Sequence, residues 1–380
     1  MILDYSAHRA WNYCPANWFE LYCHRRRKAW PKAQRDDALA LGSLVHEGLR
    51  RWQEDRVVEI PGEVIEEVTP TQDLVVQALE LVSGYAQRYP EENWELVKCE
   101  EPLRFPLTDN GWFCPTHGKN YNQNRKHGDQ CVECFKFFHY QEPLEGLAKI
   151  DAYFYVPEPT TIESGQEGLT FTLSPGWWIH EYKTKSPQVG LGQFMQGWEM
   201  GMQANYQILA LQFQINQREY LPIGDPSELK VQGILVNVLE KPKRYIPKRK
   251  CKTCQESYEF SLWIPTGEGT WCCPVCGSRQ ELQKLKENPS VTPPAYYRIV
   301  VTRTPEQLAQ ARGEMIVVGQ RMIMMQTNGL HAEPWTRDNC VDQRWGRACQ
   351  FFSPHLTGQS TLENPGFIQV EDYRKIGEGI

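Results

Sequence analysis

Two Cys-x-x-Cys pairs, Cys251 with Cys254 and Cys273 with Cys276, constrain the fold of this chain more than any other feature. Eighteen residues separate the two pairs, which is typical of a zinc ribbon in which two tight turns each supply two thiolates. Cys272 is an adjacent alternative to Cys273, and the spacing favours Cys273. Such a short segment has no core of its own, so we expect it to fold only around its metal ion.

An earlier segment offers a second set of zinc ligands, in which one histidine replaces a cysteine. The predicted ligands of this set are Cys114, His117, Cys131 and Cys134. His127 is an alternative to His117. The two sets predict two zinc-binding inserts, a first insert at about residues 108–140 and a second insert at about residues 247–282.

The compartment is predicted from what the N-terminus lacks. Thirteen cysteines would indicate disulfides in a small secreted domain, but no basic segment followed by an apolar signal core occurs here. No window reaches the roughly 18 apolar residues of a membrane span. We therefore expect a cytoplasmic protein whose cysteines bind metal. The net charge of −6 argues against non-specific coating of nucleic acid, although basic runs occur at residues 24–35 and 241–252.

Hydrophobic periodicity outside the inserts predicts alternating helices and strands. The predicted helices span residues 37–54, 71–88, 193–217 and 305–326. The predicted strands span residues 147–156, 177–183 and 230–239. Residues 157–175 are rich in Pro, Thr, Gly and Ser and predict a turn or a hairpin tip. This order indicates an α/β core that carries insertions.

Charged residues fall on two of the predicted strands. Asp151 lies in the strand at 147–156, and Glu181 and Lys183 end the strand at 177–183. Residues two apart on a strand leave the same face, so Glu181 and Lys183 are expected side by side. Two converging carboxylates suit Mg²⁺ or Mn²⁺, and an adjacent ammonium can orient a water nucleophile or stabilise a transition state.

Five short motifs follow one another along the chain. They are Tyr13-Cys14-Pro15-x-x-Trp18-Phe19-x-x-Tyr22, Gly42-x-x-x-His46, Ile150-Asp151-Ala152, Glu181-Tyr182-Lys183-Thr184 and Gln203-x-x-Tyr206. In this order they resemble the RecB-like nucleases of the PD-(D/E)xK superfamily, which include CRISPR-associated adaptation nucleases and many phage exonucleases. The resemblance implies a restriction-endonuclease-like core, which is a central mixed β-sheet flanked by helices, here with two zinc-ribbon insertions.

The resemblance also implies metal-dependent hydrolysis of DNA phosphodiester bonds, with Mg²⁺ or Mn²⁺. The implied metal ligands are His46, Asp151, Glu181 and the carbonyl of Tyr182. Lys183 would be the catalytic lysine, and Gln203 and Tyr206 would brace the site or contact the DNA backbone. Ala148 departs from the usual glycine. The Gln-x-x-Tyr spacing is one residue shorter than in the family, which rotates a helical side chain by roughly 100°.

Many relatives hold an iron–sulfur cluster between one N-terminal and three C-terminal cysteines. The corresponding residues here are Cys14, Cys340, Cys349 and His355. Histidine stands in the place of the last cysteine, and some iron–sulfur centres do use histidine. An iron–sulfur cluster, a zinc ion and metal-free packing of Cys14 are the three alternatives for this site.

The predicted organisation has five parts: an N-terminal helical part of the nuclease core at 1–107, the first insert at 108–140, the catalytic core at 141–246, the second insert at 247–282, and a C-terminal helix with a Cys-containing clip at 283–380. The expected partner is DNA, as linear ends or single strands, in replication, recombination, repair or CRISPR adaptation. No helicase phosphate-binding loop occurs, so unwinding would require a partner such as a helicase or recombinase. A catalytically inactive zinc-ribbon DNA-binding or assembly module is the alternative, and an RNA-binding zinc protein is a third.

Overall fold

The computed structural model describes residues 1–28, 37–68, 70–92, 94–108, 111–113, 120–121, 130, 139–141, 144–217, 230–245, 248–259, 262–267, 269–281, 290–329 and 367–369. Several predicted metal ligands lie outside these residues, namely Cys114, His117, Cys131, Cys134, Cys340, Cys349 and His355. Cys14 lies within them and is fully buried. The first zinc site and the C-terminal clip therefore stay predictions.

The α-helices of the described residues are α1 (Tyr5–Tyr13), α2 (Pro15–Trp18), α3 (Asp37–Asp55), α4 (Gly62–Val68), α5 (Gln72–Arg88), α6 (Leu191–Glu199), α7 (Met202–Asn216) and α8 (Pro305–Asn328). A π-helical turn at Phe19–Cys23 follows α2. Thr304 begins α8 with a capping box, in which its side chain and that of Gln307 each accept from the other's backbone N–H. None of these helices is long and apolar enough to span a bilayer.

A six-stranded sheet forms the centre of the fold. Its strands are β1 (Ile2–Asp4), β2 (Glu95–Pro106), β3 (Glu145–Val156), β4 (Gly176–Lys185), β5 (Val231–Glu240) and β6 (Ala295–Val301). Along one edge β3 pairs with antiparallel β2. The other edge of β3 is shared by β1 and β4. Strand β1 pairs in parallel with the start of β3, and β4 pairs antiparallel with residues 152–156. Parallel β5 and then antiparallel β6 extend the sheet beyond β4.

Helices cover both faces of this sheet. Helices α1, α7 and α8 contribute Ala7, Leu211 and Met315 to one core, and α3 and α5 contribute Leu44 and Leu81 to the other. Parallel and antiparallel pairs occur in the same sheet. The prediction of an α/β fold with a central mixed sheet flanked by helices is therefore confirmed.

Short strand pairs accompany the central sheet. They are Arg26–Lys28 with Phe367–Gln369, Gly111–Phe113 with Asn120–Tyr121 and His139–Gln141, Thr160–Glu163 with Thr170–Leu173, Lys243–Tyr245 with Ser290–Thr292, Lys248–Lys250 with Ser257–Glu259, and Ile264–Gly267 with Thr270–Cys272 and Arg279–Glu281. The pair at 160–173 is the hairpin tip predicted between the two charged strands. The others lie in or beside the predicted inserts and at the chain ends.

Both inserts continue a hairpin of the central sheet. The β2–β3 hairpin ends where Pro106 pairs with Glu145, and the β5–β6 hairpin ends where Glu240 pairs with Ala295. Strand β3 is antiparallel to β4, and β5 is parallel to β4. Both hairpins therefore reach their last residue pairs at the end of the sheet where β4 has its C-terminus. Both inserts therefore leave the sheet at the same end of the strands as Lys183.

Most predicted elements are confirmed, but the single helix predicted at 193–217 is wrong. The structure has α6 and α7 there, separated at Met200 and Gly201. Gly201 is extended, with ψ of 139°, and a Cβ atom on it would lie 2.6 Å from the Gly197 carbonyl oxygen. Glycine permits this close approach at the junction where α6 ends and α7 begins.

A stability test follows from the packing of α3. Leu44 is fully buried between α3 and α5, whereas Leu39 in the same helix is 50% exposed. We expect Leu44→Ala to lower the free energy of unfolding by about 2–5 kcal/mol, because it leaves a cavity. The control Leu39→Ala should change it by less than about 0.5 kcal/mol. Urea denaturation in zinc-containing buffer measures both, and equal effects would contradict the described packing.

Candidate functional site

The end of β4 carries the residues on which the candidate site is built. Alternation along the strand points Glu181 and Lys183 toward α7, whereas Tyr182 packs with α3 and α5. The pairing of β3 with β4 stops at Ala152. Beyond that point Asp151 accepts a hydrogen bond of 2.8 Å from the Tyr182 N–H. A side chain thus satisfies a backbone donor that the sheet leaves unpaired.

Glu181 is a buried carboxylate held by three partners. Its Oε1 lies 2.5 Å from Lys183 Nζ and accepts from Gln203 Nε2 at 2.8 Å. Its Oε2 accepts from Gln207 Nε2 at 2.6 Å. Gln203 and Gln207 lie four residues apart on α7 and therefore share a face. Gln207 was not predicted from the sequence, and its spacing from Gln203 is the signal that could have revealed it.

Tyr206, which the sequence analysis grouped with Gln203, points elsewhere. Its hydroxyl lies 3.0 Å from His8 Nδ1, and both side chains are buried. Viewed down the helix axis, Tyr206 is rotated from Gln203 by roughly 60° in one direction, and Gln207 by roughly 40° in the other. The described contacts accordingly bring Gln207 to Glu181 and bring Tyr206 to α1.

A second group lies beside the first, where α3 meets β2 and β3. His46 Nδ1 is 3.2 Å from Asp151 Oδ1. Ligand atoms of His46, Glu100 and Asp151 all lie within 4.8 Å of one another, so these three residues could hold a metal ion. The described geometry does not place Glu181 in this group, because Lys183 and the two glutamines hold its carboxylate.

Glu100 was not predicted from the sequence. It lies level with Asp151 in the β2–β3 register and has a φ of 51°, a left-handed conformation that side-chain-bearing residues rarely adopt. Its carboxylate is also 2.8 Å from Lys149 Nζ. A lone glutamate inside a strand gives no sequence signal, because the unusual backbone that accompanies it depends on tertiary contacts.

Ion pairs balance the charge of the site. Each carboxylate lies beside a basic side chain, in the pairs Asp151–His46, Glu181–Lys183 and Glu100–Lys149. Burial opposes ionisation of Asp151, but His46 and then Lys183 lower its pKa to about 2. Burial and the neighbouring Asp151 raise the pKa of Glu181. Burial works against the charge of His46, whereas Asp151 raises its pKa above the ordinary value. Asp151 is therefore ionised at neutral pH.

The four cysteines of the second insert form a separate cluster. Their sulfur atoms lie within 4.8 Å of one another, with 3.5 Å between Cys251 and Cys276 and 3.8 Å between Cys254 and Cys273. Tetrahedral zinc with bonds of about 2.3 Å requires sulfur atoms about 3.8 Å apart. The cluster could thus hold a metal ion such as zinc. Cys272, the alternative to Cys273, is not part of it.

Two turns with the same hydrogen-bonding pattern carry these thiols. The N–H of Gln255 donates to the Cys251 carbonyl at 3.0 Å, and the N–H of Gly277 donates to the Cys273 carbonyl at 3.1 Å. Gln255 and Gly277 have φ values of 62° and 67°, so each turn closes with a left-handed residue. The Ser278 hydroxyl hydrogen-bonds to the Cys251 sulfur, and together with the backbone N–H groups of Thr253 and Cys254 it lowers the pKa of that thiol to about 5 against the effect of burial. This favours the thiolate, the form that binds metal.

The chain matches no protein-family model, and no curated protein matches it significantly. Neither comparison therefore assigns a function to this chain.

The cysteine cluster leads to a test by elemental analysis. We expect Cys273→Ser to lower the zinc content of the purified chain by about one ion, because three thiolates and a hydroxyl hold zinc poorly. Cys272→Ser is the matched control and should leave the content unchanged. Inductively coupled plasma mass spectrometry measures both variants beside the unsubstituted chain. Equal zinc content in Cys273→Ser and the unsubstituted chain would contradict a zinc site here.

Proposed function

We propose that this chain is a DNA nuclease, an exonuclease that uses Mg²⁺ or Mn²⁺ to hydrolyse phosphodiester bonds. One observation carries the proposal: Glu181, which is buried and paired with the partly exposed Lys183, lies on the strand next to Asp151, which is paired with His46. Clustered titratable groups with shifted pKa values are commoner at functional sites than elsewhere. The five motifs that resemble RecB-like nucleases supply the class of reaction.

The donor groups fit a hard divalent cation. An imidazole and two carboxylates, from His46, Asp151 and Glu100, are suitable ligands for Mn²⁺ or Mg²⁺. The Tyr182 carbonyl and Glu181 are the further ligands that the resemblance implies. When bound, the metal ion would polarise a phosphoryl oxygen and favour ionisation of water.

The remaining residues would act on the phosphodiester directly or through Glu181. Lys183 is partly exposed, and its ammonium group is held by Glu181, the carboxylate that also binds Gln203 and Gln207 of α7. From there it would orient the attacking water or stabilise charge on a non-bridging phosphate oxygen. The water oxygen loses a proton to solvent and bonds to phosphorus, the bond to the leaving sugar oxygen breaks, and that oxygen takes up a proton from solvent. Gln203 and Gln207 would keep Glu181 in one orientation.

A catalytically inactive DNA-binding or assembly module remains the second candidate function. The four-cysteine cluster favours it, because a zinc ribbon can bind DNA or protein without any chemistry. In both cases DNA replication, recombination, repair or CRISPR adaptation is the proposed setting, and a helicase or recombinase is the proposed partner. Cleavage separates the two candidates.

The catalytic prediction concerns Lys183. We expect Lys183→Ala to lower the cleavage rate at least about 100-fold and to leave DNA affinity nearly unchanged, because the lysine serves the transition state. The assay uses end-labelled linear, closed-circular and single-stranded DNA with Mg²⁺ or Mn²⁺. The control is Lys230→Ala, which lies directly before the first residue of β5, at the end of the sheet opposite to Lys183, and should cleave normally. Asp151→Ala should not cleave.

Two results would contradict this assignment. Full activity of Lys183→Ala would remove Glu181 and Lys183 from the reaction. Equal inactivity of all variants and of the unsubstituted chain on every DNA would favour the binding module. Cleavage of linear but not circular DNA would identify an exonuclease.

The metal prediction concerns Glu100. We expect Glu100→Gln to weaken Mn²⁺ binding at least about 10-fold, a loss that even an outer-sphere partner of a metal can cause. Glu101→Gln is the matched control, because Glu101 instead binds Lys98 and the Tyr153 hydroxyl. Isothermal titration calorimetry of the zinc-loaded chain measures both affinities. Equal affinities would exclude Glu100 as a ligand.

A further inference from the structure

We infer that the hairpin that carries the four-cysteine cluster binds the phosphate backbone of DNA next to the candidate site. This hairpin, here called the arm, comprises the described residues between 241 and 292. Its role rests on the proposed function, because the DNA it holds would be the substrate. Three features of the arm support this role: where it begins, how firmly its root is held, and which charges it exposes.

The arm begins beside the strand that carries Lys183. Glu240, the last residue of β5, pairs with Lys185, and the N–H of Lys241 donates to the Lys185 carbonyl at 2.9 Å. At about 3.3 Å per residue, Lys183 lies about 7 Å before this point and Lys243 about 10 Å beyond it. Along the strand direction the two lysines are thus about 17 Å apart, or about five base pairs of duplex.

A buried ion pair holds the root of the arm. Lys185 Nζ is 2.5 Å from a Glu240 carboxylate oxygen, and the lysine side chain is nearly fully buried. The same ammonium donates to the carbonyls of Ser186 and Val189, at 3.2 and 2.7 Å. These contacts tie the loop after β4 to Glu240, the last residue before the arm. The start of the arm is therefore fixed relative to the end of β4.

The root continues as paired strands. Lys243–Tyr245 pairs with Ser290–Thr292, which extends the β5–β6 hairpin, and Lys248–Lys250 pairs with Ser257–Glu259. The four-cysteine cluster then closes the outer part, where Trp263 packs against Cys251 and Cys273. A metal ion there would keep this outer part folded.

The arm has the positive charge that the rest of the site lacks. Residues 241–252 contain seven basic residues and no acidic one, in a chain of net charge −6: Lys241, Lys243, Arg244, Lys248, Arg249, Lys250 and Lys252. Lys243, Lys250 and Lys252 are exposed, and the described part of the chain gives them no ion-pair partner. Lys149 and Lys183, in contrast, are each paired with a carboxylate. Exposed lysines without an ion-pair partner are the groups that bind phosphates.

The experiment measures how DNA affinity depends on salt. Fluorescence anisotropy follows binding of labelled duplex DNA with a single-stranded overhang to the full zinc-loaded chain, without Mg²⁺ or Mn²⁺. We expect the Lys243→Gln, Lys250→Gln, Lys252→Gln triple variant to bind at least about 10-fold more weakly. The slope of log affinity against log salt should shrink by about 2 to 3, since each lost phosphate contact removes about 0.9.

A matched pair of single variants guards against misfolding. Lys243 and Lys230 are both exposed lysines that flank β5 at its opposite ends. We expect Lys243→Gln to reduce the salt slope by about 1 and Lys230→Gln to leave it unchanged. Zinc content, measured on the same samples, should equal that of the unsubstituted chain. An equal effect of both variants would overturn the inference.

Failure of the arm and failure of the proposed function give different results. An unchanged affinity and salt slope in the triple variant, or no DNA binding by the unsubstituted chain, overturns the role of the arm whether or not DNA is cleaved. Slope losses confined to the arm variants support it even if no DNA is cleaved. In an active enzyme the triple variant should raise the KM and leave kcat near that of the unsubstituted chain, since the arm lysines bind DNA in the ground state.

Discussion

The hydrogen bond from the Tyr182 N–H to Asp151 is the interaction on which the candidate site depends. It forms because β3 shares one edge between β1 and β4, so that pairing with β4 ends at Ala152. An unpaired N–H inside a protein is costly, and here a carboxylate takes the place of the missing strand. That carboxylate then faces His46 on α3. The local end of a β-ladder thus creates the position at which charged groups from three elements meet.

The second constraint is the burial of charge. Glu181 is 1% exposed, and an isolated carboxylate there would be expensive to ionise. Lys183, Gln203 and Gln207 supply the polar contacts that water would otherwise provide. Buried ion pairs contribute little net stability compared with apolar residues of similar size. Clustered charges of this kind are commoner at functional sites than elsewhere, which agrees with the nuclease that we propose.

Sequence patterns predicted the parts of this structure that depend on local spacing. The helix with Leu41, Leu44 and Leu49 and the cluster of four cysteines both follow from fixed intervals along the chain. Glu100 and the break at Gly201 could not be predicted in this way. The first acts through a left-handed backbone inside a strand, and the second through close contact of two helical turns. Both depend on tertiary packing, which one sequence does not encode in any short pattern.

The roots of the inserts have a consequence for how this protein can change. Each insert lies within a connection between two neighbouring antiparallel strands, and the ends of that connection are already adjacent, as the pairing of Glu240 with Ala295 shows. Lengthening a connection between adjacent ends costs little free energy, since the closure penalty grows only logarithmically with length. Evolution can therefore enlarge, exchange or remove either insert without changing the order or the pairing of the strands. What the protein touches can diverge while the groups at the end of β4 keep their geometry.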